Sequence, residues 1–256
     1  PELTIAAVDP LALLGFRRRT RVFEHASDAD MIATIASELN LQPLIDAPGP
    51  VYAQHLQVNE TDLDLLRERT DALDATLRLP GRMLSVTEDD ADGSPARRLV
   101  HGNELVEFTV LADVAEQRTA VRVHGWDVAA KATIHQGADS VAAGIAAGPE
   151  RTGADALAQI VDDAPEDLHL EMPATSDEAL AFARAAMARR ARNFVRGSGT
   201  TRGTPSLRAG TRVNLTGLGG WFSGIYAVTV VRHTYDRTDG YRTHFEAARA
   251  TIANVA

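Results

Sequence analysis

The sequence predicts an α+β fold that is mainly β, in which residues 99–256 form a closed antiparallel β-barrel with a packed helix. One observation is a run of three consecutive strands over residues 207–249, with Asp239-Gly240 placed between two β-rich stretches as in a tight hairpin. Another is a single helix, residues 176–195, embedded among strands. Closure removes exposed strand edges, which favours a barrel, and a half-open sandwich accounts for the pattern almost as well.

A smaller α/β region, residues 20–98, precedes the barrel. Ser27 and Thr61 are each followed three positions later by an aspartate, which predicts a reciprocal cap at the start of a helix. Apolar side chains then recur at helical spacing, which predicts one buried face on each helix. The residues of these two faces are Met31, Ile32, Ile35, Ala36 and Leu39, then Leu63, Leu66, Thr70 and Leu73. Residues 52–58 and 83–87 are predicted strands.

Two similar segments suggest an internal duplication. Residues 3–8 predict a strand that ends at Asp9-Pro10, and residues 119–126 predict a strand that ends at Asp127. Because an aspartate after a strand is also a common turn device, spacing alone favours the turn interpretation. Residues 105–111 are a further predicted strand. Thr175 and Glu178 predict the cap of the later helix, whose buried stripe comprises Leu180, Ala183, Met187, Ala191 and Phe194.

Composition excludes several classes of protein. A chain of 256 residues without cysteine can build one large or two small domains, and it uses no disulfide or thiolate ligand. Folding in the cytoplasm is the simplest inference. The formal charge of -9 and pI near 5.4 argue against a general nucleic-acid partner. Apolar runs fall short of the roughly 20 residues that span a bilayer, so we expect no membrane insertion by this chain.

Four sequence blocks resemble one protein family in order and spacing. They are Thr20-Arg-Val-Phe23, residues 57–69, Val121-Arg-Val-His-Gly-Trp-Asp127 and residues 177–245. The family comprises the tail-hub proteins of contractile injection machines, namely the late control D proteins of bacteriophages and the hub part of the VgrG spike proteins. The second and fourth blocks are the more specific, since residue type, spacing and predicted structure agree in both.

This resemblance implies two related tube-type β-barrels with the α/β region inserted between them. Residues 1–19 would be the terminal strand of a truncated first barrel, and the resemblance strengthens the case for a duplication of the two aspartate-terminated segments. Three copies would form a homotrimer that joins a sixfold tail tube to a threefold spike and contacts baseplate proteins, after assembly in the cytoplasm into a virion tail or an injection particle. Most of the first barrel and the modules of the spike are not in this sequence, which puts trimerisation of this piece alone in question.

No catalytic, cofactor-binding or metal-binding residues are predicted, and the chain is not expected to be an enzyme. Residues 88–92 are acidic but lack the ligand spacing of a calcium loop, so a solvated loop is the preferred interpretation. A second acidic cluster over residues 162–171 is interpreted as a connector. The serines lack a nucleophile elbow. The glycine-rich residues 217–224 lack the lysine and helix of a phosphate cradle, so we interpret them as a turn with Trp221 or Phe222 covering the barrel end.

Other candidate residues have ordinary structural explanations. The histidines follow no metal-binding motif, although His233 and His244 could face one another across the last hairpin. Trp126 is expected in the core or in a subunit contact, and Asp127 is expected to cap a turn. The main concentration of positive charge predicts a solvated helix face or, alternatively, a surface that meets an acidic part of a neighbouring copy. Its residues are Arg184, Arg189, Arg190, Arg192, Arg196, Arg202 and Arg208.

Two alternatives to a structural hub remain open from the sequence. A cell-wall hydrolase of such a machine would need a pair of carboxylates in a cleft, one with a raised pKa. A barrel-based module could instead bind carbohydrate or peptide.

Overall fold

The computed structural model describes residues 3–88, 96–140, 150–169 and 172–253. The interior of the acidic loop after Glu88, most of the small-residue tract before Glu150, and Glu171 lie outside these described residues. By its internal contacts the chain divides into two compact units, Pro1–Ala91 and Asp92–Ala256.

The first unit is built from two successive strand-helix-strand segments and a final strand. A 3-10 helix at Pro10–Gly15 precedes them, and residues 3–9, predicted as a strand, join no strand ladder. The elements are β1 (Arg18–Ser27), α1 (Asp28–Glu38), β2 (Gln42–Ile45), β3 (Val51–Thr61), α2 (Asp62–Leu73), β4 (Ala75–Arg78) and β5 (Met83–Glu88). Strands β1 and β3 pair antiparallel, while β5 lies between β2, which is parallel to it, and β4, which is antiparallel.

The two strand-helix-strand segments repeat the same backbone features 34 positions apart. Both helices begin with a complete capping box, formed by Ser27 and Asp30 in the first and by Thr61 and Asp64 in the second. Two residues before each cap the backbone is left-handed, and it is left-handed again where each helix ends. These residues are His25 and Asn59 before the caps, with φ of 48° and 49°, and Asn40 and Asp74 after the helices, with φ of 53° and 59°. The predicted helices are therefore confirmed, and the structure adds a repeat that the sequence interpretation did not contain.

Both helices bury the faces that their periodicity predicts. Met31, Ile32, Ile35 and Ala36 are buried on α1, and Leu63, Leu65, Leu66 and Thr70 are buried on α2. Leu39 and Leu73, the last members of the two predicted stripes, are only partly buried because each helix ends beside them.

The capping carboxylates make helix stability depend on pH. The hydrogen bond from the Thr61 hydroxyl holds the pKa of Asp64 below its ordinary value of 3.8. A lowered pKa stabilises the folded state fully above the unfolded value, and that contribution is lost as pH falls below 3.8 through the folded value. We expect Asp64→Asn to reduce the difference in urea midpoint between pH 6 and pH 3. Asp9→Asn, which changes the exposed cap of the 3-10 helix, is the control. A difference in urea midpoint that is as large in Asp64→Asn as in the parent chain would contradict the prediction.

Two buried aspartates open the two helices, and each is held by arginines. Asp28, fully buried at the first position of α1, lies 3.3 Å from the Arg69 guanidinium and accepts a hydrogen bond of 2.8 Å from the Tyr52 hydroxyl. Asp62, at the first position of α2, pairs with Arg21 at 2.8 Å and with Arg19 at 3.1 Å. Since a buried charge is costly unless it is paired, these contacts fix how the helices meet the strands.

The second unit contains a six-stranded sheet in the order β6-β13-β14-β15-β12-β7. Its strands are β6 (Arg97–Val100), β7 (Leu105–Ala112), β12 (Val195–Thr201), β13 (Arg212–Thr216), β14 (Gly224–Asp236) and β15 (Gly240–Arg249). The β14–β15 hairpin turns where Asp239-Gly240 predicted it. Two short helices, α3 (Gly153–Ala158) and α5 (Gly219–Phe222), and the short pair β10 (Arg151–Thr152) and β16 (Thr251–Ile252) complete its surroundings.

The prediction of a closed barrel is wrong, although the α+β, mainly β class is confirmed. The edge strands β6 and β7 form no ladder with each other and meet only through an isolated bridge between His101 and Leu105. The reason lies in the strand over residues 119–126, which the prediction placed in the barrel. That strand, β8 (Ala120–Asp127), instead forms a separate sheet with β9 (Ala132–Asp139) and β11 (Glu166–Leu168), so the larger sheet stays an open half-barrel.

The core of the half-barrel is mostly aliphatic but includes a group of aromatic rings, and two glycines make room for these rings. The Phe108 ring stacks on Phe245, with centroids 6.0 Å apart, and meets Tyr226 edge-on at 5.6 Å. A Cβ at Gly197 would lie 2.3 Å from the Phe108 ring, and one at Gly199 would lie 2.8 Å from it. Residues 197–199 belong to β12, where glycine admits a ring that any larger residue would displace.

The long helix α4 (Ser176–Arg192) packs on β8 and β9 of the three-stranded sheet. Ala183, Met187 and Ala191 of its predicted stripe are buried, and Phe194 is buried just beyond the helix, whereas Leu180 is only partly covered. Thr175 caps the first turn as predicted, but Glu178 accepts its hydrogen bond from the backbone of Ala174 instead of from Thr175. The packed helix therefore covers the small sheet.

Candidate functional site

Residues 3–16 of the first unit present an unusual concentration of exposed apolar side chains. Leu3, Ile5 and Val8 are 83%, 81% and 80% exposed, and Leu13 and Phe16 are 70% and 79% exposed. Several large apolar side chains exposed within one short segment make that segment a candidate for a site of association. Leu14 alone of the nearby large apolar residues is buried, and it ties the 3-10 helix to the unit.

The β1–β3 ribbon has a second apolar surface in the same unit. Val22 and Leu56 are directly opposed in the ladder, and they are 47% and 55% exposed, with Val58 beside them at 62%. The opposite side of the ribbon carries Phe23 and Gln57, which are buried. Both faces of the ribbon are thus suited to contacts, one to the helices of its own unit and one to another molecule.

In the second unit, the solvent face of the half-barrel carries a polar row across four strands. The Thr200 hydroxyl donates to Glu107 at 2.9 Å and lies 3.1 Å from His244 Nδ1, and His244 Nε2 lies 3.4 Å from the Thr234 hydroxyl. Beside this row is a shallow depression of about 560 Å³, whose lining combines Thr109 and Ser198 with the exposed apolar Leu111 and Val230. The face therefore mixes polar and apolar side chains.

The predicted basic surface is only partly available. Arg190 donates from Nε and Nη2, one edge of its guanidinium, to the two carboxylate oxygens of Glu166 at 2.5 Å each. Arg184, Arg202 and Arg208 are exposed, and Arg196 lines the depression. The arginines thus do not form one uniform helix face, because one of them fastens β11 to α4.

The predicted acidic connector has a definite structure in its described part. Asp163 accepts from the Thr119 hydroxyl at 2.8 Å, and Asp167 accepts from His124 at 2.7 Å. Residues 166–168 pair with β8 as a parallel edge strand. These carboxylates therefore hold a strand in place.

The final hairpin does not bring His233 and His244 together. His233 is opposite Thr243 in the ladder and His244 is opposite Arg232, so the two imidazoles project to opposite faces of the sheet. His233 lies 2.9 Å from the Tyr241 hydroxyl on one side, while His244 belongs to the polar row on the other.

The glycine-rich turn and the tryptophans depart partly from expectation. Residues 217–224 join β13 to β14 through α5, and Phe222 packs against the half-barrel core while Trp221 is 55% exposed. Trp126 is 47% exposed, so it does not belong to the core. Asp127 caps a turn as predicted, accepting from the backbone of Ala129 and Ala130.

Sequence reasoning missed both side-chain groups that cross several strands. The polar row and a cluster of His124, His135 and His169 join residues far apart in the chain, and no local motif signals either of them. Within the described ranges, no group of three or more histidine, aspartate or glutamate side chains is arranged to hold a metal ion. Nor does any helix in that part of the chain have the length and apolarity needed to cross a membrane.

A family profile described as the Alg8 N-terminal domain matches residues 1–236. The chain belongs to the Alg8 N-terminal domain family. This is not a late control D family, so the resemblance inferred from sequence is supported only at the coarser level of fold. No curated protein sequence matches the chain significantly.

Solved structures share the fold of this Alg8 N-terminal domain. The 43 kDa tail protein of prophage MuSo2 from Shewanella oneidensis has a TM-score of 0.69 at 11% identity, over 94% of this chain and 72% of that one. A tail protein from Neisseria meningitidis gives 0.63 at 12% identity, over 91% and 69%. An Escherichia coli type VI secretion component, described as similar to the phage T4 tail proteins gp27 and gp5, gives 0.57 at 12% identity, over 93% and 53%. At these identities the comparisons establish a fold found in tail and secretion proteins.

Proposed function

We propose that this protein is a structural hub component of a contractile phage tail or a related injection apparatus. The observation that carries the proposal is the exposed apolar surface of residues 3–16, in a chain whose fold is that of tail proteins. A protein whose work is assembly needs surfaces that are covered only in the particle. The proposed role is mechanical and uses no catalytic group or cofactor.

In the proposed assembly, copies of the chain form a homotrimer that joins the tail tube to the spike and baseplate proteins. Residues 3–16 and the Val22–Leu56 face of the β1–β3 ribbon become buried against a neighbouring copy. Interfaces of permanent assemblies bury on the order of 2,000 Å² or more, which a single short segment does not supply. The face of the half-barrel that carries the polar row is then left for the tube or spike protein.

Two exposed apolar residues provide the test. We expect Leu13→Asp and Phe16→Asp each to weaken self-association by at least about 100-fold, because a charge would be buried at the interface without a partner. Both side chains are largely exposed in the single chain, so its stability should change little. Sedimentation velocity over a range of protein concentrations measures the effect.

The control is Tyr235→Asp, which alters a side chain 79% exposed on the β14–β15 hairpin. It should leave the association constant unchanged. A parent chain that stays monomeric at high concentration, both alone and with purified tail tube protein, would contradict the proposal, as would equal weakening by all three variants.

A further inference from the structure

Three histidines meet on the solvent face of the three-stranded sheet, opposite the side that α4 covers. His124 of β8 and His135 of β9 are directly opposed in the ladder, and His169 follows β11 on the other side of β8. The His124 ring lies 4.5 Å from that of His135 and 4.8 Å from that of His169, on which it stacks at 20°. The proposed assembly role does not use this cluster.

Asp167 determines the orientation and tautomer of His124. Its carboxylate oxygen lies 2.7 Å from His124 Nε2, and because a carboxylate can only accept, the proton of that imidazole is on Nε2. This bond also lowers the pKa of Asp167 below its ordinary value, which keeps the carboxylate ionised near neutral pH. The other nitrogen, Nδ1, therefore presents a lone pair toward β9. Such a carboxylate–histidine pair is what commonly orients a metal-binding imidazole.

His124 Nδ1 and His135 Nδ1 are separated by 3.1 Å. Two nitrogens bound to one metal ion at about 2.0–2.1 Å are about 2.9 Å apart at a right angle and about 3.3 Å apart at the tetrahedral angle. The observed separation lies between these values. The ring centroids are only 4.5 Å apart, so the nitrogens approach one another from the side and not head-on. One ring can donate its Nδ1 proton to the other across this gap, and a metal ion that displaces that proton would find both lone pairs within chelating distance.

We propose that His124 and His135 form a two-nitrogen site for a divalent first-row transition metal, with Asp167 as its positioning residue. Imidazole nitrogens suit Zn²⁺, Ni²⁺ and Cu²⁺. In the described part of the chain no third side chain is arranged as a ligand, so water or a ligand from another molecule takes the remaining positions. His169 covers one face of the His124 ring and restricts its rotation.

The surrounding charges tolerate a cation at this place. Arg122 lies on the same face of β8, but its guanidinium is 3.9 Å from Asp163, and Asp167 adds a second carboxylate nearby. His124 is about one-third exposed, so a hydrated ion has access.

Metal titration of the full chain without an affinity tag tests the site. Calorimetry with Zn²⁺ and Ni²⁺ should show one site per chain, and the electron paramagnetic resonance spectrum of added Cu²⁺ should show coupling to two nitrogens. We expect His135→Gln to weaken binding by at least about 10-fold, because it removes chelation. Asp167→Asn should weaken it about 10- to 100-fold through misorientation of His124.

His101→Gln is the matched control, since it removes an exposed histidine elsewhere in the second unit and should leave affinity unchanged. Circular dichroism melting curves check that each variant is folded. If His135→Gln does not fold, the nearly isosteric Asp167→Asn still tests the proposal. Affinity equal in the parent, His135→Gln and His101→Gln chains, or a Cu²⁺ spectrum without nitrogen coupling, would overturn the proposal.

Discussion

We expect Asp28→Ala to lower the free energy of unfolding of the first unit by about 3 to 5 kcal/mol. Asp28 is fully buried, and its removal leaves the buried Arg69 guanidinium without the carboxylate 3.3 Å away. The Tyr52 hydroxyl loses its acceptor as well. An uncompensated buried charge costs more than the original pair contributes, so the loss should exceed that of an ordinary hydrogen bond.

Urea unfolding of the full chain measures this change, with hydrogen exchange of the β1 and β3 amides to assign it to the first unit. Glu24→Ala on β1 removes an exposed carboxylate and should change stability by less than about 0.5 kcal/mol. Asp28→Asn preserves the shape of the side chain and an acceptor for Tyr52, so its loss of stability should lie between those of Asp28→Ala and Glu24→Ala. Equal stabilities of Asp28→Ala and Glu24→Ala would show that the buried pair does not hold the unit together.

Phe245→Ala should lower the free energy of unfolding of the second unit by about 3 to 5 kcal/mol. The ring is 2% exposed, stacks on Phe108 and lies over Gly199, whose missing side chain gives it space. Phe245 packs in the core cluster from β15, an inner strand of the sheet, so the cavity left by alanine lies away from the sheet edges. Collapse around it is limited, because Phe108 and Tyr226 are held by strands on either side.

Thermal unfolding monitored by near-ultraviolet circular dichroism measures the second effect. Tyr235→Ala is the matched control, since it removes an aromatic ring that is 79% exposed on the same hairpin. Equal melting temperatures of the Phe245→Ala and Tyr235→Ala chains would show that the Phe245 ring contributes little to stability.

The sequence predicts those parts of this fold that depend on neighbouring residues. The caps at Ser27 and Thr61 and the turn at Asp239-Gly240 are signalled within a few positions, and the structure has all three. Closure of the barrel depends instead on which strand pairs with β8. Strand β7 precedes β8 closely in the chain, whereas β11 follows it at a much greater distance. Alternation of apolar residues does not distinguish these partners, so the strand was assigned to the wrong sheet.

Surface chemistry was harder to predict for the same reason. His124, His135 and His169 are unremarkable in the sequence, and only the register of β8 with β9 and β11 brings them together. His233 and His244 look like a cross-strand pair by count, yet a one-residue difference in register sends them to opposite faces. Because side chains alternate across a sheet, an error of one position reverses such a prediction.

The buried aspartates of the first unit form a reciprocal lock. Asp28, at the start of α1, contacts Tyr52 and Arg69 of the second strand-helix-strand segment. Asp62, at the start of α2, pairs with Arg19 and Arg21 of the first segment. The arginines that pair with each buried carboxylate come from the other segment, so unfolding of one segment leaves a buried charge of the other without its arginine. The two strand-helix-strand segments therefore stabilise one another, and we expect that either segment expressed alone would be stable only as a dimer.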